Sequence, residues 1–124
     1  MDFLIVDDHA GMRSLIQECV APFAREIRMC ASGEEALQTL RDFPADCATV
    51  DFSMPGMDGV ATIEALHARR PNMHLVLITQ FLDSALRDRA LAAGAAAVID
   101  KDHLSDLITH LHEYGTRRAA GKST

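Results

Sequence analysis

Four short apolar runs in this chain each lead into a polar group. Phe3 to Val6 precedes Asp7-Asp8, Cys47 to Val50 precedes Asp51, Leu75 to Ile78 precedes Thr79, and Ala96 to Ile99 comes shortly before Lys101. Runs of this length read as buried parallel strands. A fifth, shorter strand is predicted at Ile27 to Cys30, where Ile27 and Met29 share one face as an edge strand would have it. Between the runs the apolar period changes to that of a helix. Met12, Leu15, Ile16, Cys19 and Val20 follow the i, i+3, i+4, i+7, i+8 pattern, and Pro22 ends or kinks that helix.

Ser32-Gly33-Glu34-Glu35 matches a capping box opening the second helix. The third helix starts near Asp58 and stops near Arg70-Pro71. Ser84 is the expected cap of a fourth, which Gly94 terminates. The last carries Leu104, Leu107, Ile108 and Leu111 and is expected to stop at Gly115, with residues 116–124 a polar, basic tail. Alternating strands and helices of this length predict right-handed crossovers and one doubly wound α/β domain, residues 1–114, followed by a tail or linker stub, 115–124.

Composition narrows the function classes. A chain of 124 residues, 48% hydrophobic and 24% charged, suits one globular domain. The formal net charge of −6 argues against a nucleic-acid-binding surface over the whole domain. Cys19, Cys30 and Cys47 are odd in number and form no C-x-x-C pair, so buried thiols in a reducing compartment are expected. No apolar run has the ~20 residues of a membrane span, and Met1-Asp2-Phe3 lacks the basic start of a signal peptide. A cytoplasmic location, with no membrane partner, is the expectation. The six histidines do not cluster in the sequence, and His67, His74 and His103 are read as solvated.

Polar groups at the ends of parallel strands meet at one rim of the sheet, where open α/β folds place their sites. Three carboxylates and one ammonium there sum to a charge of about −2, which one magnesium ion would neutralise. A carboxylate can also attack phosphorus and carry an acyl phosphate. Asp51 is the best nucleophile, because the rigid turn Pro55-Gly56-Met57-Asp58-Gly59 follows its strand.

With its acidic pair in Phe3-Leu4-Ile5-Val6-Asp7-Asp8-His9, the Asp51-to-Gly59 segment, Thr79, Ala93-Gly94-Ala95 and Lys101, the chain resembles the receiver domain of a bacterial two-component response regulator from residue 2 to about 114. The resemblance implies a flavodoxin-like sheet of five parallel strands in the order 2-1-3-4-5. It implies Asp51 as phosphoacceptor from a sensor histidine kinase or phosphotransfer protein. It implies Mg2+ held by Asp8 and Asp51, by Asp7 through water, and by the Ser53 main-chain carbonyl. Lys101 would pair with the phosphoryl oxygens, and Thr79 would swing to hydrogen-bond them. Homodimers through the face of the fourth helix, fifth strand and fifth helix are a family habit, and Arg87, Asp88 and Arg89 are candidate charges there.

The chain departs from the family pattern at Val98, where an aromatic residue is usual. Without a ring to rotate, signalling is expected to rely on Gln80, Phe81 and Leu82 after Thr79. Asp102 follows Lys101 where proline is common, and with His9 this is similar to receivers of helix-turn-helix transcription factors. Two other functions compete. Phosphatases of the haloacid-dehalogenase type use a second Asp two positions after the nucleophile, but Ser53 stands there. A phosphorylation-independent module of the same fold would be expected to lose acidic residues, yet all are present.

Overall fold

The computed structural model describes residues 1–122. Its strands are β1 (Asp2–Val6), β2 (Glu26–Cys30), β3 (Cys47–Asp51), β4 (His74–Thr79) and β5 (Ala97–Asp100). They alternate with α1 (Ala10–Val20), α2 (Gly33–Thr39), α3 (Gly59–Arg69), α4 (Ser84–Ala93) and α5 (Ser105–Lys122). All strand pairings are parallel and the order is β2-β1-β3-β4-β5, the expected 2-1-3-4-5 arrangement.

Strand alternation sorts the core into two layers. Leu4, Val6, Ala48, Val50, Leu75, Leu77 and Val98 pack with buried residues of α2, α3 and α4. Phe3, Ile5, Cys47, Val76, Ile78 and Ile99 pack on the other face with Ile16 and Val20 of α1 and Leu107 and Leu111 of α5. Continuous apolar strands are what such two-sided burial requires. β2 is one of the two edges, with β5 the other, and it is mostly exposed.

Local signals set most helix ends. Ser32 Oγ accepts from Glu35 N–H at 3.1 Å, while the Glu35 carboxylate accepts from Ala31 N–H, one residue before the partner of a regular capping box. Asp58 caps α3 by accepting from Ala61 N–H at 2.8 Å. The cap of α4 is Asp83, which accepts from Leu86 N–H at 2.7 Å, and Ser84 is the first helical residue instead. Pro22 lies in a short 3-10 turn, Ala21–Phe23, that closes α1. Gly94 ends α4 at φ +122°, a conformation that favours glycine.

Two expectations fail towards the C-terminus. α5 does not stop at Gly115 but continues to Lys122. A mid-helix glycine costs only about 1 kcal/mol relative to alanine, and tertiary contacts on both sides outweigh it. Tyr114 stacks on His74 with ring centroids 3.7 Å apart, and Arg118 Nη2 lies 3.4 Å from Asp46 Oδ1. Residues 123–124 of the expected tail lie outside the described residues. His74 is not solvated: its Nε2 lies 2.8 Å from Nε2 of His110, and the ring is part-buried. Burial pushes its pKa down to about 4, with His110 and Arg117 adding to the effect. Among the described residues no helix is long and apolar enough to cross a membrane.

Candidate functional site

The carboxyl ends of β1, β3 and β5 bring together Asp7, Asp8, Asp51 and Lys101. Asp7 and Asp51 are almost fully buried, at 0% and 2% exposure. Lys101 Nζ lies 2.8 Å from Asp51 Oδ1 and 3.4 Å from Asp7 Oδ2. One ammonium thus serves two carboxylates. Strand alternation explains the meeting, since Asp51 shares its parity with Cys47 and Thr49 and so points to the α1/α5 face that Lys101 borders.

Asp7 is fixed by its neighbours. Its Oδ1 accepts from His9 N–H at 2.8 Å, and its carbonyl accepts from Arg13 Nη1 at 2.7 Å. His9 caps α1 without a side-chain bond to the helix, and its Nδ1 lies 3.1 Å from Asp8 Oδ1. Ligand atoms of Asp7, Asp8, His9 and Asp51 all lie within 4.8 Å of one another. The three carboxylates are those expected. His9 is a fourth member of the cluster, one that the apolar pattern does not single out.

The site is short of hydrogen-bond donors. Asp7 Oδ2, Asp8 Oδ1 and both Asp51 oxygens are shielded from solvent with no hydrogen-bond partner among the described residues. The Lys101 contact to Asp51 is therefore an ion pair that is not aligned as a hydrogen bond. Burial raises the pKa of Asp51, and the Asp7 charge adds to this, outweighing the opposing pull of Lys101. Burial alone would lower Lys101, but Asp51 and Asp7 reverse that and its net shift is upward. Orphaned carboxylate oxygens converging without donors suit a hard divalent cation, which takes oxygen ligands. These residues could hold one.

The loop after Asp51 is shaped by close packing. A Cβ on Gly59 would collide with the Asp51 carbonyl oxygen and lie 2.6 Å from Phe52 Cα. Gly59 N–H donates to Phe52 O at 2.8 Å, folding the loop back onto the strand end. Gly56 has φ +76°, as its turn requires. Ser53 is exposed on this loop, and its backbone favours ionised Asp51.

Thr79 is buried at the end of β4, one residue past Ile78, the register partner of Asp51. Its hydroxyl accepts from Phe81 N–H at 3.0 Å. Phe81 is 70% exposed and Leu82 37%. Val98 is buried, opposite Leu77 and within the α3/α4 layer. Arg87, Asp88 and Arg89 are exposed on α4.

A family model described as the response regulator receiver domain matches residues 3–112. The transcriptional activator protein ExaE of Pseudomonas putida is 32% identical over 82% of this chain, and the chain spans 48% of that protein's length. The chemotaxis protein CheY of Thermotoga maritima is 29% identical, covering 79% of this chain and 82% of its own. Among solved structures, a CheY-like response regulator receiver domain protein from Methanospirillum hungatei superposes with TM-score 0.77 at 25% identity, covering 94% of this chain and 97% of its own.

Proposed function

This chain belongs to the response regulator receiver domain family, and from that premise we propose that it is a signalling switch phosphorylated on Asp51. The family's function is phosphorylation-controlled signalling. One observation carries the residue-level reading: the buried Asp51 carboxylate, paired with Lys101 at 2.8 Å, has an Oδ2 with neither a hydrogen bond nor an ion pair among the described residues.

Oδ2 is then the attacking oxygen. It forms the new bond to phosphorus while the phosphorus–nitrogen bond of a phosphohistidine breaks. The electron pair stays on the imidazole nitrogen, which takes up a proton. Lys101, bound to the other oxygen, holds the carboxylate in place and faces the incoming phosphoryl oxygens. Asp8 and Asp51 would hold Mg2+ directly, Asp7 would act through a bound water, and the Ser53 main-chain carbonyl would complete the protein ligands. When bound there, the ion would supply charge neutralisation on the transferred group.

Phosphorylated Asp51 carries about −2 charge and three strong acceptors. Thr79 leaves the Phe81 N–H to donate its hydroxyl proton to one of them, which frees the Phe81-Leu82 segment. With Val98 in place of a ring, that segment carries the change to the α4-β5-α5 surface, which also serves any homodimer. A sensor histidine kinase or phosphotransfer protein is the donor. The chain turns over no foreign substrate, and it is cytoplasmic. Residues 1–114 form the receiver unit, and 115–124 the tail or linker stub, whose first turns extend α5.

Incubation with acetyl phosphate and magnesium, followed by intact mass measurement, tests this. The wild-type chain should gain one phosphoryl group and Asp51→Asn none. No mass gain in either protein would instead favour a phosphorylation-independent binding module.

A further inference from the structure

His9 stands where β1 turns into α1, and its side chain makes no bond to the helix it caps. The ring is 72% exposed, so little packing holds it. Its Nδ1 nevertheless lies 3.1 Å from Asp8 Oδ1 and 3.7 Å from Asp7 Oδ1, at the acidic cluster.

The simplest account of the shorter approach is an ordinary ion pair, and its orientation argues otherwise. Asp8 Oδ1 is shielded from solvent and has no hydrogen-bond partner among the described residues, so the in-plane direction of Nδ1 misses it. Two ligands of one metal ion stand in that relation, because each points at the ion rather than at the other. Bonds of about 2.1 Å at right angles put neighbouring ligand atoms roughly 3.0 Å apart. The His9–Asp8 separation of 3.1 Å is close to that. Nor do the carboxylates stand alone: Asp7 and Asp51 are almost fully buried, and Asp7 Oδ2 and both Asp51 oxygens are orphaned in the same cluster.

We propose that His9, through Nδ1, is a further ligand of the ion that Asp8 and Asp51 would hold, and that it raises the site's preference for Zn2+ over Mg2+. The inference rests on the reading above that these carboxylates bind a metal. Magnesium takes oxygen ligands, whereas imidazole suits zinc and its first-row neighbours. One nitrogen added to an oxygen set therefore shifts selectivity more than it shifts magnesium affinity. A cavity of about 420 Å³ bordered by His9, Ala10, Gln80 and Lys101 opens beside the ring and gives the ion's remaining positions access to water. Zinc held there would compete with magnesium for the phosphoacceptor.

The test titrates the full chain, without any phosphodonor, with Zn2+ and separately with Mg2+. Calorimetry reads affinity, and long-range proton–nitrogen NMR reads each histidine ring nitrogen. Zn2+ should move the Nδ1 signal of His9, and Mg2+ should leave it in place. His9→Ala, with its fold checked by the amide spectrum, should lose about tenfold or more in Zn2+ affinity and far less in Mg2+ affinity. Asp8→Asn should abolish the His9 response, which separates this site from zinc bound at His74 and His110. A His9 Nδ1 unmoved by Zn2+ while Mg2+ still binds, or similar losses for both ions in His9→Ala, would overturn the inference alone. A wild-type chain that binds neither ion would overturn the underlying metal reading as well.

Discussion

Asp2 and Asp51 stand at opposite ends of the sheet, both almost fully buried, at 3% and 2% exposure, yet their surroundings push them opposite ways. Arg25 donates to both Asp2 oxygens, at 3.1 and 2.6 Å, and these bonds hold its carboxyl below the usual range. Asp51 shares one lysine with Asp7, and burial pushes it up. At the amino end of the sheet each carboxylate has its own cation, and arginine is in surplus. At the carboxyl end carboxylate is in surplus and its oxygens are orphaned. A satisfied buried charge stabilises structure, whereas an unsatisfied one marks where a ligand of opposite sign belongs.

The largest way to break this contrast is at Gly59. Gly59→Ala forces a Cβ against the Asp51 carbonyl and should cost about 3 kcal/mol in urea unfolding, with loss of phosphoryl acceptance. The amino end should be untouched, so Tyr114 and His74 resonances should keep their positions. If stability were unchanged, the loop would not be the device that shapes the rim.

The next effect is in pH. His74 is neutral in the fold, with its pKa pushed down to about 4 from an ordinary 6.5. Between those values the unfolded chain binds the proton and the folded one does not, so stability is full above pH 6.5 and falls as pH drops towards 4. A loss of about 2 kcal/mol is expected for a part-buried ring. Urea unfolding of His74→Phe should show a shallower slope across that window. An identical slope would mean that the His74–His110 contact does not control this end.

Asp2→Asn should lower the melting temperature by less than either, because its partner Arg25 is itself well exposed. Phe81→Ala should be smallest, within about 0.5 kcal/mol of wild type, since the ring is 70% exposed. That variant should still accept the phosphoryl group, and beryllofluoride should then perturb fewer α4 amides than in wild type.

The sequence already showed most of the carboxyl end, and little of the amino end. Asp7, Asp8, Asp51, Thr79 and Lys101 each follow an apolar run, and parallel strands must deliver such residues to one rim. Two-sided burial made those runs continuous, so the strand count and the layers were readable too. The His74–His110 contact spans 36 residues and Arg118–Asp46 spans 72, distances at which no local pattern speaks. Gly115 is a fair stop signal taken alone, and Tyr114 on His74 and Arg118 on Asp46 override it. Between Asp83 and Ser84, both good caps, composition offered no choice, and backbone direction decided.

Carboxylate is in surplus around Asp51, and we propose that magnesium corrects it. Urea unfolding of wild type and Asp51→Asn, with and without magnesium, tests this most directly. Without the metal, Asp51→Asn should be the more stable protein, by about 1 to 2 kcal/mol, and saturating magnesium should reverse the order by stabilising wild type alone. An Asp51→Asn protein less stable than wild type in metal-free buffer, or one stabilised equally by magnesium, would contradict the account.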